Sequence, residues 1–146
     1  MTTFPDLSVP LREAIVSSAE ITALLSSYKG SYPVFTRTPV PNDAPSVRIT
    51  ISQNLATAHE DGISDQRLVV TRDIVVSGEN DRDWETVDRI ARLVASLFHR
   101  RERNLTVNGW KVVRITATTR GGQPASELEP SVAMVVTLTI LLASAN

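Results

Sequence analysis

Cysteine is absent from the 146 residues, so neither a disulfide nor a thiolate metal site can form, and the chain suits a reducing compartment. Histidine is scarce: His59 and His99 are the only 2, and they are the only imidazoles on which a nucleophile–base arrangement could draw. A strong charge of either sign is missing as well. The 15 basic and 16 acidic residues leave a formal net charge of −1, which excludes a global field pulling the protein onto nucleic acid or an anionic membrane. Any such binding would need a local patch. Met1 to Asp6 has neither the basic start nor the apolar stretch of a signal peptide, so export by that route is not expected. Long hydrophobic runs are lacking too. The most apolar segment, 132 to 145, is interrupted by Thr137 and Thr139 and falls short of the roughly 20 residues a helix needs to span a bilayer, so it reads as buried strand. No repeat, low-complexity tract or linker divides the chain, and a single domain over 1–146 is expected.

What is present is a globular balance, 42% hydrophobic and 21% charged, far from the composition that keeps a chain disordered. Leu11, Ile15, Ile21, Leu24 and Leu25 recur at helical spacing over residues 8 to 27, predicting two short helices or one bent one with a joint at Ser17-Ser18-Ala19. Ser8 is the candidate cap, with Pro10 in the first turn where a missing N–H costs little. Five glycines and prolines between Gly30 and Pro45 end the helix signal and leave room for a short extended piece near Val34 to Arg37.

Val47, Ile49 and Ile51 alternate with polar residues, as a half-buried strand requires. A polar stretch, 54 to 66, reads as a long hairpin loop before a second strand in which Leu68, Val70, Ile74 and Val76 share one parity with Arg72. The best helix spans about 81 to 101: Trp84, Val87, Ile90, Ala91, Val94, Leu97 and Phe98 form one apolar stripe. Asn80 or Asp81 is placed to cap it, His99, Arg100 and Arg101 to close it in the sense the helix dipole favours, and Glu85–Arg89 and Asp88–Arg92 to pair on its wet side. After an Asn108-Gly109 turn, residues 110 to 119 alternate as a strand, with Val113, Ile115 and Ala117 against Val112, Arg114 and Thr116. A loop over about 120 to 130 leads to the last strand. There Val132, Met134, Val136, Leu138, Ile140 and Leu142 all fall on one face, while the other face is uncharged, so this strand should lie inside the sheet or under a neighbour. The fold class is therefore α+β: an antiparallel or mixed sheet of four to five strands, packed by one long amphipathic helix and short N-terminal helices.

Chemistry is thinly signalled. His99 sits at a helix end beside arginines, where a dipole partner is the plainer reading than a base. His59-Glu60-Asp61 has three side chains able to bind a metal, yet consecutive loop residues rarely converge on one ion, so a solvated or partner-binding loop is expected. Arg100-Arg101-Glu102-Arg103, in a chain with 13 Arg to 2 Lys, resembles a phosphate patch interrupted by Glu102, and helix-end solvation is the plainer reading. Gly121-Gly122 lacks both the spacing of a phosphate loop and the helix that should follow, and reads as hairpin loop. Trp84 and Trp110 are expected in the core rather than as exposed anchors. No catalytic, cofactor-binding or metal-binding residue is put forward, and no cofactor. The interface candidates are Thr57, His59, Glu60 and Asp61 in the first loop, Arg120, Gln123 and Glu127 in the second, and Thr137 and Thr139 on the outer face of the last strand.

The run Leu11-Arg12-Glu13-Ala14 leading to Ile21-Thr22-Ala23-Leu24-Leu25, the pieces Tyr32-Pro33-Val34-Phe35 and Ala44-Pro45-Ser46-Val47, and the helix opening at Asp83-Trp84 with Asp88 and Ile90 together resemble a known family. It is that of the tail terminator, or tail-completion, proteins of long-tailed phages and gene transfer agents. The likeness covers nearly the whole chain, through soft motifs. It implies a non-enzymatic virion protein at the head-proximal end of the tail, assembled in the host cytoplasm. Its subunits would close into a homo-oligomeric ring, a hexamer, that caps the tail tube and joins it to a head-completion or connector protein, with nucleic acid met only in passage through the lumen and no membrane involved. Another neck or head-completion role in the same particle is one alternative. A small α+β enzyme or ligand-binding module is the other, favoured by a deep pocket gathering His59 or His99 with carboxylates.

Overall fold

Strand β6 (Val132–Ser144) lies between β4 (Arg67–Gly78) and β5 (Trp110–Gly122), antiparallel to both, in a computed structural model that describes residues 6–36, 41, 43–52, 56–59, 67–79, 81–122 and 132–144. The expected interior position of the last strand follows from its two faces. Met134, Val136, Leu138, Ile140 and Leu142 are all buried on one side, and the uncharged residues between them accept a strand on either flank. β4 and β5 run parallel to each other with β6 between them and are connected through helix α3 (Trp84–Phe98), a split β-α-β arrangement.

Beyond β4 come β2 (Arg48–Ile51) and then β1 (Val34–Phe35), which pairs parallel with β2 and makes the sheet mixed. A further strand, β3 (Ala56–His59), pairs with β4 along the same flank as β2. Ile51 opposes Ile74 while Ala56 opposes Thr71, so β2 and β3 pair with successive stretches of the same edge of β4, on either side of Arg72 and Asp73. β2 and β3 are thus one interrupted strand, and the six strands occupy five positions across the sheet. This corrects the reading of 54 to 66 as loop for residues 56 to 59, whose pairing only β4 could reveal; 54, 55 and 60 to 66 lie outside the described residues.

Helix α1 (Ser8–Val16) and helix α2 (Ala19–Thr22) break at the expected joint. Together with α3 they cover one face of the sheet. Leu11, Ile15, Ile21, Val87, Ile90, Val94 and Phe98 join the inward rows of β4 and β6 in one cluster. Each fully buried aliphatic or aromatic side chain of this kind contributes roughly 1.5 to 3 kcal/mol. Arg12 ties the parallel edge to α1, its Nε donating to the Val34 carbonyl at 3.1 Å. Among the described residues no helix is long and apolar enough to cross a membrane.

Several local expectations are corrected. Ser8 is the first helical residue rather than the cap, and its own N–H is held by Asp6 Oδ1 at 2.9 Å. α3 is preceded by a 3-10 turn, Asp81–Asp83, and its N-cap is Asp83, which uses its carboxylate to accept from Ser46 Oγ instead of from the helix. α3 ends at Phe98 rather than at Arg101, and His99 closes it as the C-cap, its N–H donating to the Ala95 carbonyl at 2.8 Å; Arg100 takes a left-handed φ of 58°. Asp88 and Arg92 pair at 3.0 Å, whereas Glu85 and Arg89 form no ion pair among the described residues. Trp84 is 44% exposed because it is the first helical residue: helical spacing sets the direction of the stripe but not how far the sheet extends beneath it. Trp110 is half-buried against the core, as expected. In β5 a bulge falls between Val112 and Arg114, so Val112 and Ile115 both face the helices and Val113 is 39% exposed, breaking the expected alternation. Gly121 and Gly122 belong to β5, not to a loop.

Candidate functional site

The face of the sheet turned away from the helices is built from residues of the opposite parity. Register places Val69, Leu141 and Arg114 in one cross-strand row, Thr71, Thr139 and Thr116 in the next, then Asp73, Thr137 and Thr118, then Val75, Val135 and Arg120. β-branched side chains fit a pleated surface, which is why threonine and valine can fill it without loss of strand propensity. Val69, Val75, Val135 and Leu141 are only partly buried, and none of them belongs to the hydrophobic cluster that the helices complete. The surface is therefore hydroxyl-rich with apolar flanks.

One carboxylate stands within it. Asp73, at the middle of β4, accepts from Thr137 Oγ1 at 2.7 Å and lies 3.4 Å from Arg120 Nη2, so residues of three neighbouring strands converge on it. Its backbone is clamped on the opposite flank: Ser52 N–H donates to the Asp73 carbonyl at 2.9 Å, and the Asp73 N–H donates to Ser52 Oγ at 3.0 Å. This clamp sits where the β2 ladder gives way to the interruption before β3. An acid that is mostly buried and keeps both a hydroxyl donor and a cation is a fixed feature of the surface, with both oxygens engaged.

Of the residues expected at an interface, Arg120, Thr137 and Thr139 are brought together on this face, with Thr139 exposed and Thr137 half-buried. Thr57 and His59 lie in β3 rather than in a loop. Their side chains, and all of Glu60, Asp61, Gln123 and Glu127, fall outside the described residues. Asp73, the residue that organises the cluster, went unnoticed in the sequence. Its only signal there was an acid at outward parity between the apolar pairs of β4, and the register that sets it opposite Thr137 is a tertiary fact.

A second polar device lies beneath the helices. Arg72 has the core-facing parity and is 1% exposed. Its Nη2 donates to Ser8 Oγ at 2.8 Å, and its Nη1 stands 3.9 Å from Asp6 Oδ1. Burial pulls the Arg72 pKa below the ordinary arginine value, and the Asp6 charge opposes that pull. The Ser8 backbone N–H, then the Ser8 hydroxyl and the Arg72 charge hold the Asp6 carboxyl below the usual carboxylate value. These contacts fasten the start of α1 to the sheet.

His99 is also structural. Its Nδ1 accepts the Ala117 N–H at 3.0 Å while the Arg100 N–H donates to the Ile115 carbonyl at 2.8 Å, so the residues after α3 cover one rung of the outer edge of β5. The cleft beside it, about 390 Å³, is lined by Ala95, Ser96, His99, Arg101 and Ala117, without a carboxylate. An open groove of about 450 Å³ runs along the wet side of α3 from Glu85 to Ser96.

No family model and no curated protein sequence matches this chain. A chain of a solved structure, described as the virion of a native gene transfer agent particle, shares its fold at 14% identity, with a TM-score of 0.75 over 95% of this chain and 96% of that one.

Proposed function

We propose that this chain is a structural subunit of a phage-like virion and, within it, a tail terminator or tail-completion protein whose copies close into a ring that caps the tail tube and joins it to the head. The fold likeness to a chain of a gene transfer agent virion, running over nearly the full length of both, carries this reading. The sequence resemblance to tail terminators agrees with it. The architecture is compatible: one face of the sheet forms the core with the helices, and the other offers hydroxyl and apolar surface around Asp73 to a neighbour. Asp73 ties neighbouring strands together and His99 covers the edge of β5, so both serve the sheet itself.

A ring of six 16.0 kDa chains weighs about 96 kDa, which light scattering separates from the monomer. Some rings close only on a partner, so the measurement is made with and without the tail tube protein of the same particle. A ring in either condition, and tubes that stop growing when the chain is added, are expected. A monomer in both conditions sinks the ring. Cross-linking within assembled particles to the portal side alone would move the chain to another neck position, and its absence from purified particles by mass spectrometry would overturn the virion reading.

A further inference from the structure

The near-neutral net charge conceals two corners of opposite sign, each with an exposed hydrophobic side chain. Residues 79 to 85, from the end of β4 into the first turn of α3, carry Glu79, Asp81, Asp83 and Glu85 against the single cation Arg82. Trp84 stands exposed among them. Asp83 also accepts from Ser46, and Glu79 lies 3.7 Å from Arg48, so among the described side chains of this segment Glu85 is the acid without a partner. The opposite corner holds the β5 bulge. Exposed Val113 is flanked there by the exposed Lys111 and Arg114, and exposed Arg100, whose N–H donates to the Ile115 carbonyl, adds a third cation, while Arg101 and Arg103 line clefts shared with Glu20 and Glu13.

The two corners cannot meet within one copy. Asp83 packs beside Gly78, which pairs with Val132 at one end of β6, whereas the bulge lies beside Leu141 and Leu142 near the other end and one strand farther out. Ten residues of strand separate them by about 30 Å. Two different and complementary patches on opposite ends of a subunit are what a heterologous, closing contact requires.

We infer that copies of this chain meet head to tail, with the Trp84 corner of one subunit seated against the Val113 bulge of the next. Trp84 supplies the desolvated anchor, and the cations of the β5 corner face the carboxylates around it. This rests on the ring reading above and identifies its contact.

Sedimentation velocity at low ionic strength tests it on four full-length chains: wild type, Lys111→Glu/Arg114→Glu, Glu79→Arg/Glu85→Arg, and the chain carrying all four changes. Each single-corner reversal sets like charges against each other and should weaken self-association by about tenfold or more. The four-fold variant exchanges the two signs and should recover most of the loss, which mere structural damage cannot do. In a Trp110→Phe background Trp84 is the sole tryptophan, and its emission should move to shorter wavelength on association. Rings that form equally well in the reversed variants, or reversals that the four-fold variant fails to rescue, overturn the contact while the ring stands. A wild-type chain that stays monomeric here overturns the contact, and the tail-tube experiment then decides the ring separately.

Discussion

Thr137 of β6 donates its hydroxyl to Asp73 of β4 directly across the strand pair, at 2.7 Å. Thr139, two residues along the same face, is exposed, and its side chain makes no hydrogen bond among the described residues. The two threonines therefore separate folding from assembly. Thr137→Val should cost about 1 to 2 kcal/mol by urea denaturation, because a mostly buried carboxylate loses a donor. Thr139→Lys should change stability by no more than about 0.5 kcal/mol, as surface substitutions do. If that face meets a neighbour, the lysine variant should nonetheless lose ring formation in light scattering; equal loss of stability in both variants would make the face simply core.

Ser8 and Arg72 form an asymmetric pair. Ser8→Ala removes an acceptor from a guanidinium that is 1% exposed, and should cost about 1 to 3 kcal/mol. Arg72→Met removes the charge together with its desolvation and leaves Ser8 and Asp6 near solvent, so it should cost less. Denaturant midpoints of the two variants settle the order, and a larger loss for Arg72→Met would show that the guanidinium stabilises the fold through more than its link to α1.

Asp6 gives a pH dependence with a definite sign. Its folded pKa lies below the ordinary 3.8, so its contribution is fully present above that value and is lost as pH falls through the lower folded pKa. The stability difference between wild type and Asp6→Asn should be constant near neutrality and shrink below the ordinary carboxylate value. Because the Asp6 side chain is 79% exposed, the difference should stay under about 1 kcal/mol. A difference that grows on acidification would contradict the assignment.

Gly78 closes β4 against the turn into α3, and a Cβ there would stand 2.5 Å from Asp83 Cβ and 2.9 Å from its Oδ2. Gly78→Ala should therefore destabilise by about 1 to 3 kcal/mol, the usual cost of overpacking, and should disturb the Ser46–Asp83 hydrogen bond. Thermal unfolding reads the first effect. An unchanged midpoint would mean the corner gives way freely.

Period and punctuation alone determined much of this protein. The six-residue apolar row of β6, the stripe of α3, the break at Ser17-Ser18 and the short extended piece at Val34-Phe35 are each fixed by neighbours within a few positions, and each is where the sequence places it. Only the tertiary structure decided the rest. That Ala56 to His59 pairs with β4 in the space left by β2, that one extra residue at Val113 turns β5 over, that the His99 imidazole covers the edge of β5 while its N–H closes the helix, and that Trp84 stays exposed all depend on what lies across a strand pair or beneath a helix. The candidate face divides along the same line. Its lack of charge on β6 could be read directly, but Asp73 and the convergence of Thr137 and Arg120 upon it exist only because register brings together residues 47 and 64 positions apart. Local periodicity reports which way a side chain points, and carries no information about which distant residue it will meet.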